Sequence, residues 1–207
     1  MNHTLSICLI FSGMVACSGP PPTNNGATEV TVLIETDRGD ITLALYPDAA
    51  PVTVTNFVEL ARSGALNDTS FYRTVREDND RPDARIDVIQ GGAGFDGLTG
   101  ATPIAHESTS ETGLSHIRGA ISMARDGVGT ASSEFFIVVT DSTNLDAGPG
   151  GRNPDEAGYA VFGQVTDGMD VVETIWMAST GAEDAPEGYS QQWLDPAVSI
   201  NRISIEN

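Results

Sequence analysis

The sequence contains no lysine, so its ten basic residues are all arginines, against 29 aspartates and glutamates. The resulting net charge of −19 argues against binding to nucleic acid, which depends on basic side chains that neutralise phosphates. It also disfavours docking of the folded part on an anionic lipid surface. We interpret the acidity as a source of solubility rather than as an acidic binding patch.

Cysteine is nearly absent: Cys8 and Cys17 are the only two, and both lie close to the N-terminus. The rest of the chain therefore uses neither a disulfide nor thiol chemistry. No run of about eighteen or more apolar residues occurs, which excludes an ordinary transmembrane helix. A length of 207 residues is most simply one domain with an N-terminal extension.

The N-terminal segment has the pattern of an export signal. Its apolar run, residues 5–16, has the length of a signal-peptide hydrophobic region and ends in small residues. Cys17 follows directly, in a context that resembles a bacterial lipobox, although no lysine or arginine precedes the run. The alternative is a plain secretory signal with an incidental cysteine. We favour residues 1–17 as a signal peptide with a lipobox-like end and Cys17 as the lipid attachment site.

Residues 18–28, SGPPPTNNGAT, are rich in proline and have no apolar period, so they are predicted to form a flexible tether. Residues 29–207 would then form one folded domain. We expect that domain to be a monomer, exported and lipid-anchored in a bacterial cell envelope on the periplasmic side. Membrane contact is expected only through the anchor.

The folded part alternates short strands with two helices. Apolar–polar alternation over residues 30–34 and 41–45 predicts a β-hairpin. One helix is predicted from Pro51 to Gly64 and a second over residues 168–176. The other predicted strands cover residues 71–75, 86–90, 120–124, 135–140, 160–165 and 198–205. This pattern predicts a mainly β fold, a closed antiparallel barrel with two α-helices.

The most informative stretch is residues 71–92. Its two predicted strands carry Arg73 and, at the end of the second, Gln90 followed by two glycines. A guanidinium and a carboxamide on adjacent strand ends offer directed hydrogen-bond donors beside apolar side chains, which suits an amide-like ligand. The acidic loop between them lacks the ligand order of an EF-hand and is predicted to be solvated.

The residues around each possible cofactor or metal motif do not support it. Gly92, Gly94 and Gly97 match a dinucleotide-binding pattern, but the residues that follow do not predict the required helix. His106 and His116 lie in a predicted loop region without a spacing that supports a metal, and we expect both to be loop histidines bonded to the backbone. We therefore expect neither cofactor nor metal.

Three blocks resemble the cyclophilin family of peptidyl-prolyl cis–trans isomerases and occur in that family's order. They are F-Y-R-T-V followed by a strand that ends in Q-G-G, the segment GAISMARDGVGTASSEFFI at 119–137, and AVFGQV at 160–165. The resemblance runs from about Glu29 to the C-terminus. It implies an eight-stranded barrel capped by two helices, which agrees with the strand count, and an enzyme that accelerates rotation about X–Pro bonds.

The resemblance also implies roles for individual residues. Arg73 matches the family's catalytic arginine, Gln90 the glutamine that would hold the substrate carbonyl, and Phe136 the phenylalanine that lines the proline pocket. Five further positions match the family's substrate-binding residues: Val88, Arg125, Glu134, Leu145 and Tyr159.

Several positions depart from the family's usual residues, namely Glu134 (glutamine), Arg125 (asparagine), Tyr159 (histidine), Asn144 (tryptophan) and Asp87 (a pocket phenylalanine). Residues 76–85 and 147–157 look like insertions. The departure at Asn144 puts tight cyclosporin binding in doubt. We expect a changed substrate preference rather than a loss of activity.

The resulting hypothesis is an isomerase that acts on proline-containing segments of exported proteins during their folding. The alternative is a proline-peptide binding or chaperone module without efficient turnover, because Asp87 and Val88 would make the pocket less apolar or smaller. A small-ligand barrel is a third option, and the lack of a cofactor motif speaks against it.

Overall fold

The computed structural model of the protein describes residues 28–206. The predicted signal peptide, Cys17 and all of the predicted tether except Thr28 lie outside this range. Within it, no helix combines the length and the apolar character needed to cross a membrane.

Eight strands form a closed antiparallel barrel, which confirms the predicted fold. The strands are β1 (Val30–Thr36), β2 (Gly39–Leu45), β3 (Thr69–Val75), β4 (Val88–Gly92), β5 (Ala120–Met123), β6 (Phe135–Val138), β7 (Ala160–Asp167) and β8 (Trp193–Ile205). Their order around the barrel is β1-β2-β7-β5-β6-β4-β3-β8, and pairing of β8 with β1 closes it. The strands β6, β4, β3 and β8 are therefore neighbours, and this order positions the site described below.

Two helices longer than one turn pack on the barrel, as predicted: α1 (Pro51–Ser63) and α3 (Met169–Trp176). Helix α1 begins with proline, and Gly64 ends it in the left-handed region, at φ 74°. Ala50 offers no capping side chain, so the first backbone N–H groups of α1 donate instead to the carboxylate of Glu107. Phe57 on the buried face of α1 meets Phe135 edge to face, with ring centroids 5.4 Å apart.

A third helix, α2 (Thr109–Thr112), occupies part of a region that was predicted to be loop. It is a single turn with a capping box. The Ser108 side chain accepts a hydrogen bond from the helix backbone, and the Glu111 side chain accepts one from the backbone N–H of Ser108. The sequence S-x-x-E is the signal that the loop prediction overlooked.

The prediction that the acidic 76–83 loop is solvated is wrong at Asp80. Its side chain is 2% exposed and forms an ion pair with Arg152, which is 13% exposed, at 2.8 Å. Asp80 also accepts from the backbone N–H of Ile86, so β4 begins at Val88 and not at residue 86 as predicted. The ion pair joins the two segments that the sequence marked as insertions.

Candidate functional site

Four adjacent strands place one residue each in a row across the barrel surface. Phe136 on β6 pairs in register with Gln90 on β4, Gln90 pairs with Arg73 on β3, and Arg73 pairs with Trp193 on β8. Neighbouring strands lie about 4.8 Å apart, so the row from Phe136 to Trp193 is about 14 Å long. The three residues predicted to be catalytic are thus direct neighbours.

A groove of about 550 Å³ lies over three members of this row, Phe136, Gln90 and Arg73. It is lined by all eight residues that the sequence singled out: Arg73, Val88, Gln90, Arg125, Glu134, Phe136, Leu145 and Tyr159. The structure therefore brings the predicted site together in one place, and the role of each residue stays a prediction.

One end of the row is an apolar pocket. Phe136 packs there with Val88 and Leu145, and it meets Tyr159 edge to face at 5.3 Å between ring centroids. Asp87, which was expected to make this pocket more polar, does not line the groove, because its carboxylate accepts from the hydroxyl of Thr140. The pocket is therefore suited to an apolar ring.

The guanidinium of Arg73 is fixed from several directions. Its Nη1 donates to Oε1 of Gln90 at 2.7 Å, while Nε and Nη2 both donate to Oε1 of Gln192 at 2.9 and 2.7 Å. The ring of Tyr189 lies against it, 5.1 Å from Cζ to the ring centroid. These bonds use three of the five N–H groups of an arginine, and one on each terminal nitrogen remains for a ligand.

A chain of hydrogen bonds continues from Arg73 to a buried carboxylate. Nε2 of Gln90 donates to the hydroxyl of Tyr72 at 2.8 Å, and that hydroxyl donates to Oε2 of Glu134 at 2.7 Å. Burial raises the pKa of Glu134, although Tyr72 and the backbone N–H of Ala93 donate to its oxygens. The chain therefore runs from a cation to a carboxyl group, and it fixes which end of the Gln90 carboxamide faces Arg73.

Gly92, at the end of β4, lets the backbone pass close to this carboxyl group. Its φ is +136°, and a Cβ atom there would lie 2.5 Å from both oxygens of Glu134. The glycine that formally matched a dinucleotide motif thus has a local packing reason.

Arg125 forms one wall of the groove. Its side chain is 1% exposed, forms two hydrogen bonds to Asp155 at 2.7 and 2.9 Å, and donates to the carbonyl of Gly158. These bonds lower the pKa of Asp155 to about 2. Its guanidinium also lies over the ring of Tyr159. Substrate binding by Arg125 stays a prediction, since most of its donors are engaged within the protein.

Both histidines were expected to bond to the backbone through their side chains. His106 does so, at the carbonyl of Ala157, but the expectation is wrong for His116. His116 is completely buried, with Nδ1 2.6 Å from Oδ1 of Asp146 and Nε2 3.0 Å from the hydroxyl of Ser122. Its ring stacks on Phe136, with 5.8 Å between centroids. Burial lowers the pKa of His116 and so favours the neutral ring, which supports the floor of the apolar pocket.

Sequence reasoning also missed Tyr72, Tyr189 and Gln192. Tyr72 was visible only as the neighbour of Arg73, and its link to Glu134 joins residues 62 positions apart. Gln192 lies 119 positions from Arg73, in the short 3-10 helix Ser190–Gln192 before β8, and no local motif marks it. Within residues 28–206, no group of three or more His, Cys, Asp or Glu side chains is arranged to hold a metal ion.

Comparisons with known proteins agree with this architecture. The family model described as cyclophilin type peptidyl-prolyl cis-trans isomerase/CLD matches residues 31–203. The chain is 38% identical over 160 residues to peptidyl-prolyl cis-trans isomerase A of Dickeya dadantii, covering 77% of each protein. It is 36% identical over 152 residues to peptidyl-prolyl cis-trans isomerase B of Escherichia coli, covering 72% of this chain and 86% of that protein.

Among solved structures, a cyclophilin type peptidyl-prolyl cis-trans isomerase of Cryptosporidium parvum matches with a TM-score of 0.64 and 25% identity. The match covers 87% of this chain and 99% of that one. With the family model spanning most of the barrel and relatives above one-third identity, the chain belongs to the cyclophilin-type peptidyl-prolyl cis–trans isomerases and is an enzyme of that type.

Proposed function

We propose that this isomerase accelerates X–Pro rotation during the folding of exported proteins, and that Arg73 stabilises the twisted amide. The observation that carries the proposal is the cross-strand row, in which Phe136, Gln90 and Arg73 lie side by side under one groove. An apolar surface for the proline ring and a fixed cation for the amide are then within one or two strand spacings of each other.

The chemistry asks little of the protein beyond binding a distorted amide. Conjugation of the amide raises the barrier to rotation to about 18–20 kcal/mol. This conjugation is lost when the bond twists and the nitrogen regains its lone pair. A donor aimed at that nitrogen stabilises the twisted state more than either planar isomer, so the barrier falls. No nucleophile and no bond cleavage are required.

Arg73 can supply that donor because two of its N–H groups are free while the other three hold it in place. A charge-assisted hydrogen bond contributes about 1.5–3 kcal/mol, which corresponds to about one to two decades in rate. Gln90 presents its carboxamide oxygen to Arg73 and one N–H to Tyr72, so only its second N–H remains for a substrate carbonyl.

The test is exchange NMR of a proline peptide with the full chain, Arg73→Ala and Arg73→Lys. We expect the alanine variant to lose about 10- to 100-fold in kcat/KM. Lysine keeps the charge but cannot reproduce the planar fork held by Gln90 and Gln192, so it should recover only part of the loss. Equal activity of all three proteins would show that another residue stabilises the amide.

A second candidate function is peptide binding with little turnover. It is favoured by the enclosure of Arg73, whose guanidinium already makes three hydrogen bonds and contacts Tyr189. In that case the wild-type protein would bind proline peptides, as measured by a change in tryptophan fluorescence, without broadening or exchange of their cis and trans NMR signals.

We further propose that Cys17 carries a lipid that anchors the protein in the bacterial envelope, on the periplasmic side. Support comes from the apolar run at residues 5–16, the cysteine directly after it, and the proline-rich segment that follows. Metabolic labelling with a fatty acid should mark the wild-type chain and not Cys17→Ser. A secreted, unlabelled wild-type product would favour the plain signal peptide.

A further inference from the structure

An exposed phenylalanine lies in the same groove as Arg73. Phe95 follows β4 and is 47% exposed, and among residues 28–206 it is the only aromatic residue in the set of exposed large hydrophobic side chains. The other members of that set, such as Ile117 and Met177, do not line the groove. Exposing an aromatic ring to water is unfavourable, so its position beside a binding groove calls for a reason.

Phe95 belongs to a wall of three aromatic rings, of which Phe95 and Tyr189 line the groove. Its centroid lies 5.1 Å from that of Tyr189 and 5.9 Å from that of Trp193. The rings come from two distant parts of the chain, the loop after β4 and the segment that leads into β8. Tilted and edge-to-face arrangements of this kind present both ring faces and edges, which are the surfaces that another aromatic ring contacts favourably.

The wall lies at the far end of the row from the proline pocket. Trp193 is the register partner of Arg73 on the side away from Gln90 and Phe136. From Cζ of Arg73, one step of 5.1 Å leads to the Tyr189 ring and a second step of 5.1 Å leads to Phe95. Because an extended peptide advances about 3.3 Å per residue, about three residues cover this path.

We propose that Phe95 and Tyr189, which line the groove and pack with Trp193, form a subsite for an aromatic side chain within three residues of the isomerised proline. This inference rests on the proposed function, since it takes the proline ring at Phe136 and the amide at Arg73 as the fixed points. The occupant is a side chain of the same polypeptide that presents the proline. Asp96, which lines the groove next to Phe95, disfavours an acidic side chain at this place.

The test uses a capped host peptide with alanines around one proline, and six variants that carry one phenylalanine at each of three positions before and after it. For each protein, kcat/KM of a phenylalanine peptide is divided by that of the all-alanine peptide. This ratio cancels any general effect of a substitution on catalysis. In the wild type we expect the ratio to reach about three- to tenfold at one or more positions.

Phe95→Ala should reduce that ratio to about one, while Phe95→Leu, which keeps apolar surface, should give an intermediate value. Ile117→Ala is the matched control, because Ile117 is similarly exposed but outside the groove, and it should keep the wild-type ratio. The proposal is overturned if no position gives a preference in the wild type, or if Phe95→Ala keeps the same preference.

Failure of the proposed function gives a different result. If the wild type accelerates none of the peptides, the proposed catalytic function is wrong. Binding measurements then test whether the subsite exists. Trp193 is part of the wall, so tryptophan fluorescence should report tighter binding of a phenylalanine peptide than of the all-alanine peptide. Loss of that difference in Phe95→Ala supports the subsite, and equal affinities in the wild type overturn it.

Discussion

Oε1 of Gln192 accepts two hydrogen bonds from Arg73, one from Nε at 2.9 Å and one from Nη2 at 2.7 Å. Gln192 is itself held, because its Nε2 donates to the backbone carbonyl of Asn79 at 2.8 Å. The loop between β3 and β4 and the segment before β8 therefore act together on the guanidinium. Gln192 positions Arg73, and one N–H group on each terminal nitrogen of the guanidinium has no hydrogen-bond partner in the described part of the chain.

We expect Gln192→Ala to lower kcat/KM by about tenfold, since it removes two charge-assisted bonds and lets the arginine adopt other rotamers. Gln191→Ala is the control, because that side chain is exposed and one position away. Exchange NMR measures both. If the two variants retain the same activity, Gln90 alone is sufficient to hold Arg73.

Glu134 should make catalysis depend on pH. Tyr72, Ser133 and the backbone N–H of Ala93 all donate to its carboxyl oxygens, which suits the ionised form. Protonation would let the Tyr72 hydroxyl turn round, and the Gln90 carboxamide could then present its N–H group to Arg73, where two donors repel. Lowering the pH should therefore reduce kcat/KM. Because burial raises the pKa of Glu134, this reduction should begin at a pH above the range in which an ordinary glutamate titrates.

The measurement is kcat/KM by exchange NMR between about pH 4 and 8, for the wild type and Glu134→Gln, since ordinary glutamate titrates near 4.3. A glutamine cannot titrate, so its profile should lack the acid decline. It should also be about three- to tenfold less active at neutral pH, because a neutral acceptor bonds the tyrosine less strongly. An acid decline of equal size in the variant would assign the titration to another group.

The sequence was sufficient for those parts of the site that depend on strand alternation. Phe135 and Phe136 are adjacent on β6, so one ring enters the barrel core and the other faces the groove. Arg73 and Gln90 become partners because β3 and β4 are consecutive and antiparallel. Periodicity and the family blocks together predict this much of the arrangement.

The side chains that hold the site could not be predicted in the same way. Gln192 reaches Arg73 from the 3-10 helix before β8, 119 positions along the chain, and Asp80 is buried in an ion pair with Arg152, 72 positions away. His116 lies in a segment with no regular period, yet Asp146 and Ser122 satisfy both of its ring nitrogens. Apart from Ser122, which is six positions from His116, these partners are distant in the sequence and leave no pattern in it locally.

Breaking the Asp80–Arg152 ion pair, which joins two loops, should destabilise the fold more than breaking an exposed ion pair. Arg152→Ala leaves a carboxylate that is 2% exposed without its cation, and we expect the free energy of unfolding to fall by about 3 kcal/mol. Arg85→Ala is the matched control. It breaks the exposed pair with Glu77 and should cost about 0–1 kcal/mol.

Urea unfolding of both variants measures this difference. Adding Asp80→Asn to Arg152→Ala should restore part of the loss, because the buried group is then neutral. If Arg152→Ala costs no more than Arg85→Ala, the ion pair does not hold the two loops together.

His116 should make the fold less stable on mild acidification. Its folded pKa is lowered from the usual value near 6.5, so the unfolded chain takes up a proton before the native protein does. The contribution of neutral His116 is therefore fully present above about pH 6.5 and is lost as pH falls through the folded pKa. Glu134 has the opposite sign, since its raised pKa favours the native state as pH falls, so two proteins must be compared.

His116→Gln removes the titration while keeping an amide that can bond Asp146 and Ser122. We expect this variant to be less stable than the wild type at pH 7.5. The difference in the free energy of unfolding should shrink as the pH falls below about 6.5. Protonation of His116 in the unfolded chain favours unfolding of the wild type, and the variant has no such group. His106→Asn, which replaces a histidine that is not fully buried, provides the control. A constant difference between wild type and His116→Gln across this range would mean that His116 is equally protonated in the folded and unfolded chains.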